Sequence, residues 1–173
     1  MVDLEALFKV TYALYLVTSF EGVKYNGLLG NSFCQVNSEP PTFLVIINKE
    51  SYTHHMIEES GLFGVSELAQ DAPFEFFGPF GFKSGKNTDK FAKINYKIAE
   101  KGVPVILDHT VAYFVCEVFK SVDMGSHTVF IGNLLESVSL SDKEPLTYAY
   151  YRDVKKGKTS RFAPTYVKTH AKK

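Results

Sequence analysis

Tryptophan is absent from this 173-residue chain. Cysteine is nearly so, with Cys34 and Cys116 far apart and no Cys-x-x-Cys pair. Two such residues build neither a zinc ribbon nor a rubredoxin-type iron site, and they do not suggest a disulfide framework. An excess of one charge is missing as well, since 19 basic side chains face 19 acidic ones. A formal charge of zero gives no overall field toward nucleic acid or an anionic membrane. No apolar run approaches the ~20 residues that span a bilayer. The start, Met-Val-Asp-Leu-Glu, lacks the basic region and apolar core of a secretory signal. There is no Walker A sequence, no Gly-x-Gly-x-x-Gly and no recognisable Ser-His-Asp order. The expectation is a soluble cytoplasmic protein of one domain, with no nucleic-acid partner, no membrane association and no metal site.

Apolar and aromatic side chains are abundant: the chain is 45% hydrophobic, with 15 Phe and 10 Tyr. A chain of this length buries roughly two-thirds of its unfolded surface. Many aromatics at zero net charge also hint at a self-associating surface.

The periodicities predict mostly strands. A short helix is expected over Asp3 to Thr11, with Asp3 as its cap. Tyr12 to Phe20 and Val23 to about Val36 read as a hairpin turning at Glu21-Gly22. Gly27 and Gly30 within its second arm suggest a bulge or a close approach by ligand or partner backbone. Pro40-Pro41 marks an edge or turn, and Thr42 to Asn48 a buried strand. Tyr52 to Ser60 reads as a helix ended by Gly61, and Leu62 to Ser66 as a strand. Glu67 to Phe82 reads as irregular because of Pro73, Pro79 and its glycines, and Asn87-Thr88-Asp89 as the cap of a short helix containing Lys90 and Phe91. Val111 to Val122 and Thr128 to Ser139 form the clearest hairpin, followed by a last strand over Leu146 to Tyr151. Few helices among six or seven strands imply a β-barrel. We divide the chain into a domain over residues 1–155 and a basic, turn-rich tail over 156–173, partly packed and mobile at its end.

The most informative stretch runs from Gly30 to Thr53. Asn31, Ser32, Asn37 and Ser38 precede the double proline, either as a solvated strand face or as hydrogen-bonding groups for the edge of a flat heterocycle. Lys49, Ser51 and Thr53 then follow a buried strand and open a helix. They are either a plain N-cap with a solvated lysine or a phosphate site using the free N–H groups of the helix start. Phe82-Lys83-Ser84-Gly85-Lys86-Asn87 is a surface turn or a second phosphate contact through Lys83, Ser84 or Lys90. His127, where the turn at Gly125 re-enters a strand, is a surface residue or a contact for a nicotinamide. His54 and His55 are adjacent on a helix and make no i,i+4 metal pair, while His109 and His170 belong to no constellation. Cys34 has no His or acid beside it that would make it a nucleophile.

Three segments together resemble the flavin reductase-like family of FMN-binding split barrels: Gly30-Asn31-Ser32-Phe33 with Ser38-Glu39-Pro40-Pro41, Ile47-Asn48-Lys49-Glu50-Ser51-Tyr52-Thr53, and Gly125-Ser126-His127-Thr128-Val129-Phe130-Ile131-Gly132. Leu68-Ala69-Gln70-Asp71, Phe80-Gly81-Phe82-Lys83-Ser84-Gly85, Asp89-Lys90-Phe91-Ala92 and the tail through Ala163-Pro164-Thr165-Tyr166 are closer to the flavin reductase domain of high-molecular-weight rubredoxins. The resemblance implies a mostly β, Greek-key-like split barrel, a homodimer with FMN near the interface, and NADH or NADPH as electron donor. It implies a flavin site drawn from Asn31, Ser32, Phe33, Cys34, Asn48, Lys49, Ser51, Thr53, Phe82, Lys83, Ser84 and Lys90, with His127 at the nicotinamide. Many relatives carry Thr or Ser where this chain has Asn31. With no Cys-x-x-Cys pair in the chain, electrons would leave to free flavin, oxygen or a separate protein such as a rubredoxin. The rival expectations are a flavoredoxin-like electron carrier, with Phe162 and Tyr166 filling the nicotinamide slot, and a pyridoxamine-phosphate-oxidase-like barrel.

Overall fold

The computed structural model describes residues 3–167. Nine strands carry the fold: β1 (Tyr15–Glu21), β2 (Lys24–Gly30), β3 (Phe33–Ser38), β4 (Pro41–Asn48), β5 (Leu62–Leu68), β6 (Tyr96–Ile98), β7 (Pro104–Ile106), β8 (Thr110–Asp123) and β9 (His127–Ser139). Four short helices join them: α1 (Leu4–Leu7), α2 (Tyr52–Ser60), α3 (Phe74–Phe82) and α4 (Tyr148–Asp153), with a 3-10 turn at Glu100–Gly102. The main sheet is antiparallel, in the order β2-β1-β5-β8-β9-β4-β3.

Closure follows from that order. The β2 and β3 strands are neighbours in sequence, separated by Asn31 and Ser32, yet they lie at opposite ends of the sheet. So short a link requires the sheet to curl until its two edges meet. The Ile46 N–H donates to Ser32 O (3.1 Å), and Tyr15 of β1 packs edge-on against Phe33 of β3 at 5.2 Å between ring centroids. The result is a barrel split between β2 and β3, as expected for the fold class. The second arm predicted over Val23 to Val36 is therefore two strands, broken at the seam.

Alternating residues of the strands fill the barrel. Val17, Val45, Ile47, Phe63, Val65 and Phe130 form one cluster there. A second cluster, with Leu14, Leu16, Phe77, Phe80 and Tyr151, lies under α3 and α4. The small β6–β7 hairpin, which the sequence reading left unassigned, caps a third cluster around Val103, Val105 and Tyr113. Thr18 Oγ1 donates to Pro104 O (2.5 Å), fixing that cap to β1. Gly64 makes room for it, since a Cβ there would sit 2.6 Å from Thr18 Oγ1 and 2.9 Å from Val103 Cγ1. Gly64→Ala is expected to lower stability by about 1–3 kcal/mol, measured as a fall in thermal midpoint. An unchanged midpoint would show that the cap shifts without strain.

Four other element assignments need correction. Residues 74–82, expected to be irregular, form α3 despite Pro79. Phe77 and Phe80 are both buried against Phe91 and Tyr151, and this burial outweighs the low helix preference of proline and glycine. The expected strand over Leu146 to Tyr151 is the helix α4, because Thr147 caps it by accepting the Tyr150 N–H (3.2 Å) and Tyr148 and Tyr151 are buried one turn apart. Lys90 and Phe91 lie in a loop, where Asp89 Oδ1 accepts the Phe91 N–H (2.9 Å) in a local turn. The expected N-terminal helix is confined to Leu4–Leu7. No helix among the described residues is long and apolar enough to cross a membrane.

Candidate functional site

A cavity of about 580 Å³ opens where the seam, the start of α2, the loop after α3 and the tail converge. Its floor is apolar, from Leu14, Phe80, Tyr148 and Tyr151 of the cluster beneath. Its walls come from the ends of β2 and β4, from Glu50 to Tyr52, from Phe80 to Gly85, and from Lys158 to Pro164. That volume is in the range of pockets for small molecules and cofactors.

Charge gathers here although the chain is neutral. Lys83, Lys90, Lys158 and Arg161 line the cavity against one carboxylate, Glu50. Lys90 is buried. Its Nζ donates to Gly27 O (2.7 Å) and lies 5.8 Å from the centre of the Phe80 ring. Burial pulls its pKa down to about 8, because the site desolvates the ammonium. At the same end, α2 begins with Ser51 as N-cap, whose Oγ accepts the Thr53 N–H (3.2 Å). The free N–H groups of a helix start favour an anion.

The residues singled out in the sequence divide between the cavity and its surroundings. Asn31, Asn48, Ser51, Phe82, Lys83, Ser84 and Lys90 line it. Asn31 Nδ2 donates to Thr165 Oγ1 (2.7 Å), and Ser32 Oγ donates to Asn31 Oδ1 (3.2 Å). Phe33 points into the barrel, stacked on Phe43 at 4.9 Å. Cys34 is exposed on β3, with its thiol pKa raised by partial burial. Lys49 reaches the tip of the β8–β9 hairpin, where its Nζ pairs with Asp123 (2.6 Å), so that Asp123 sits below the usual carboxylate range. Thr53 is fully buried behind the cavity wall and accepts a hydrogen bond from Asn26 Nδ2 (3.0 Å).

The β4–β9 register places His127 opposite Asn48. Its Nε2 lies 3.0 Å from Phe162 O, and its Nδ1 lies 2.9 Å from Ser126 Oγ. A carbonyl only accepts, so Nε2 carries the hydrogen. The tail thus holds both the imidazole and the Asn31 amide. Tyr148 and Thr159 hydroxyls bond to each other, and Tyr151 Oη donates to Lys158 O (3.3 Å), seating the tail on α4. The part of the tail expected to be mobile, and His170, lie outside the described residues.

Sequence reasoning missed Asn26, Tyr148, Tyr151 and most of the tail. Asn26 is an amide in mid-strand beside a glycine already noted, which was the one available signal. The aromatics of α4 were read as strand residues.

A sequence model of the flavin reductase like domain matches residues 7–157. The chain is 45% identical over 164 residues to the high molecular weight rubredoxin of Moorella thermoacetica, spanning 95% of this chain and 72% of that protein. It is 43% identical over 164 residues to a ferric-chelate reductase (NAD(P)H) of Archaeoglobus fulgidus, spanning 95% of this chain and 97% of that one. Among solved structures, an NADH:FAD oxidoreductase of Streptomyces globisporus superposes with a TM-score of 0.76 at 24% identity, over 85% of this chain and 91% of that chain. That last likeness shows the fold.

Proposed function

The chain belongs to the flavin reductase-like family, and from that premise we propose that it is an NAD(P)H-dependent flavin oxidoreductase holding FMN in the cavity at the barrel seam. The observation that carries this reading is the convergence of Lys83, Lys90 and the N-terminus of α2 on one cavity in a chain of zero net charge. An anionic ligand with a large apolar body fits such a site, and the buried ammonium of Lys90 is expensive to hold without one.

The chemistry supplied by bound FMN is acceptance of a hydride from NADH or NADPH and onward release of electrons to free flavin, oxygen or a redox partner protein. The protein's part is to bind and orient. Ser51 and the start of α2, with Lys83, Ser84 and Lys90, hold the phosphate. Asn31 and Ser32 present an amide and a hydroxyl to the ring edge, and His127 offers Nε2–H to the nicotinamide. Lys49 stands at the rim, paired with Asp123, Phe33 and Thr53 support the wall from behind, and Cys34, exposed on β3, takes no part in it. Residues 1–155 form the FMN-binding domain, and the tail from 156 completes its site. Val36, Phe119, Val122 and Met124 are exposed apolar residues on β3 and the long hairpin, and they suit a homodimer contact. A rubredoxin-like protein is the expected electron acceptor, since the Moorella relative bears that name.

One observation favours a second reading, an FMN electron carrier reduced by a protein: Phe162 O already engages His127. Steady-state oxidation of NADH and NADPH in the presence of FMN separates the two. FMN-dependent turnover is the expected result. Tight FMN binding without turnover would establish the carrier, and neither binding nor turnover would discard both.

A further inference from the structure

The Asn26 side chain is 2% exposed, lines the cavity, and has an Oδ1 with no hydrogen-bond partner. Its Nδ2 is used: it donates to Thr53 Oγ1 at 3.0 Å in the first turn of α2. A buried amide oxygen left unpaired is costly, on the order of 1–3 kcal/mol. Such an atom is either strained in place or waiting for a donor that the folded chain does not supply.

Its surroundings favour the second explanation. Gly85, in the loop after α3, approaches so closely that a Cβ there would overlap Asn26 Oδ1. The loop thus presses on the amide from one side while Thr53 fixes it from the other. The neighbouring residue along β2, Gly27, is less crowded, with a Cβ there 3.0 Å from Thr18 Cγ2, and its carbonyl takes the Lys90 ammonium. Lys90 is therefore engaged next door and is not the donor Asn26 lacks. The phosphate of FMN, fully ionised, brings acceptors only. A flavin carries two kinds of donor, the N3–H of the ring edge, which the reading above sets at Asn31 and Ser32, and the hydroxyl groups of the chain between ring and phosphate, which are left for this corner beside the start of α2.

Resting on the flavin reading above, we propose that Asn26 is a cofactor-contacting residue that accepts a hydrogen bond from the flavin's polyol chain, held in register by Thr53 and by the glycine at position 85. It then acts on every flavin that carries the polyol, with or without phosphate. Lys83 and Lys90 act on phosphorylated flavins alone. Thr53, which the sequence suggested as a phosphate ligand, becomes the residue that orients the true contact.

The test is equilibrium titration of the flavin-free protein with riboflavin and with FMN, followed by quenching of flavin fluorescence. Two variants are compared with the unaltered chain. Asn26→Ala removes the acceptor. Gly85→Ala keeps the amide but pushes its oxygen out of position from a loop outside the sheet, so it gives an answer even if Asn26→Ala fails to fold. Both are expected to weaken riboflavin and FMN by the same factor, about tenfold, and to leave lumiflavin, which has the ring without the polyol, unaffected; equal weakening of lumiflavin would place Asn26 at the ring and overturn the proposal. Loss of FMN affinity with riboflavin unaffected would place Asn26 at the phosphate and overturn the proposal. Unchanged binding of both flavins would remove the residue from the site. Failure of the unaltered chain to bind either flavin would refute the parent reading, and this one with it.

Discussion

Lys90→Met is expected to make the flavin-free protein more stable and its grip on FMN weaker. The folded chain holds the Lys90 ammonium in a desolvated position, and its pKa falls from the ordinary 10.5 to about 8. Between those values the unfolded chain binds the extra proton, so stability rises with pH across that window and the penalty is fully present below pH 8. At neutral pH the penalty is on the order of 3 kcal/mol. Part of it returns as the bond to Gly27 O, which methionine forgoes. The net gain expected at neutral pH is about 1–2 kcal/mol, a rise of roughly 2–8 °C in midpoint for a chain of this size. Binding should move the other way. A phosphate beside the ammonium restores its proton, so FMN affinity should fall as pH rises through 8, while riboflavin affinity stays level. Loss of a charge-assisted bond predicts about 10–100-fold weaker FMN in the variant. Calorimetry and flavin titration read the two effects separately. A variant that is less stable and binds FMN normally would make Lys90 a purely structural residue.

His127→Ala is expected to slow flavin reduction by NAD(P)H about tenfold or more, with FMN affinity nearly unchanged. The imidazole is fixed by the β4–β9 register and by Ser126, but its Nε2–H is directed at Phe162 O. A nucleotide that uses this donor must displace the tail. The same movement releases Asn31 from Thr165. Two such bonds are worth about 1–3 kcal/mol together. Ending the chain after Gly157 should therefore speed reduction of the unaltered protein at saturating FMN, and should do little for the His127→Ala variant. Equal acceleration in both backgrounds would mean that the tail acts without His127. Reduction of His127→Ala at the unaltered rate would exclude that residue from the mechanism.

The sequence carried the parts of the fold that repeat a local pattern. The alternation over β8 and β9 and the cap-to-glycine frame of α2, from Ser51 to Gly61, appear nearly where expected. The break between β2 and β3 was hidden because Asn31 and Ser32 look no different from strand residues, and only the sheet order reveals a seam there. The helix α3 was hidden by Pro79 and two glycines, Gly78 and Gly81, since its stability comes from Phe77 and Phe80 packing on residues far along the chain. Gly27 was read as a place of close approach, and the approach is made by Thr18 and Phe80 of the same chain. Of the residues the sequence singled out, Asn48, Ser51 and the contiguous Phe82 to Ser84 line the cavity, while Lys49 between the first two turns away to Asp123. Asn26 was not legible, because its meaning depends on Thr53 and Gly85, which no local pattern connects to it.

The measurement that bears most directly on this account is anaerobic mixing of the FMN-loaded protein with NADH, and separately NADPH, while the visible absorption of the flavin is followed. The account predicts rapid bleaching by at least one nucleotide. Retained FMN that neither nucleotide bleaches would contradict the reductase reading and leave an electron carrier served by a protein donor.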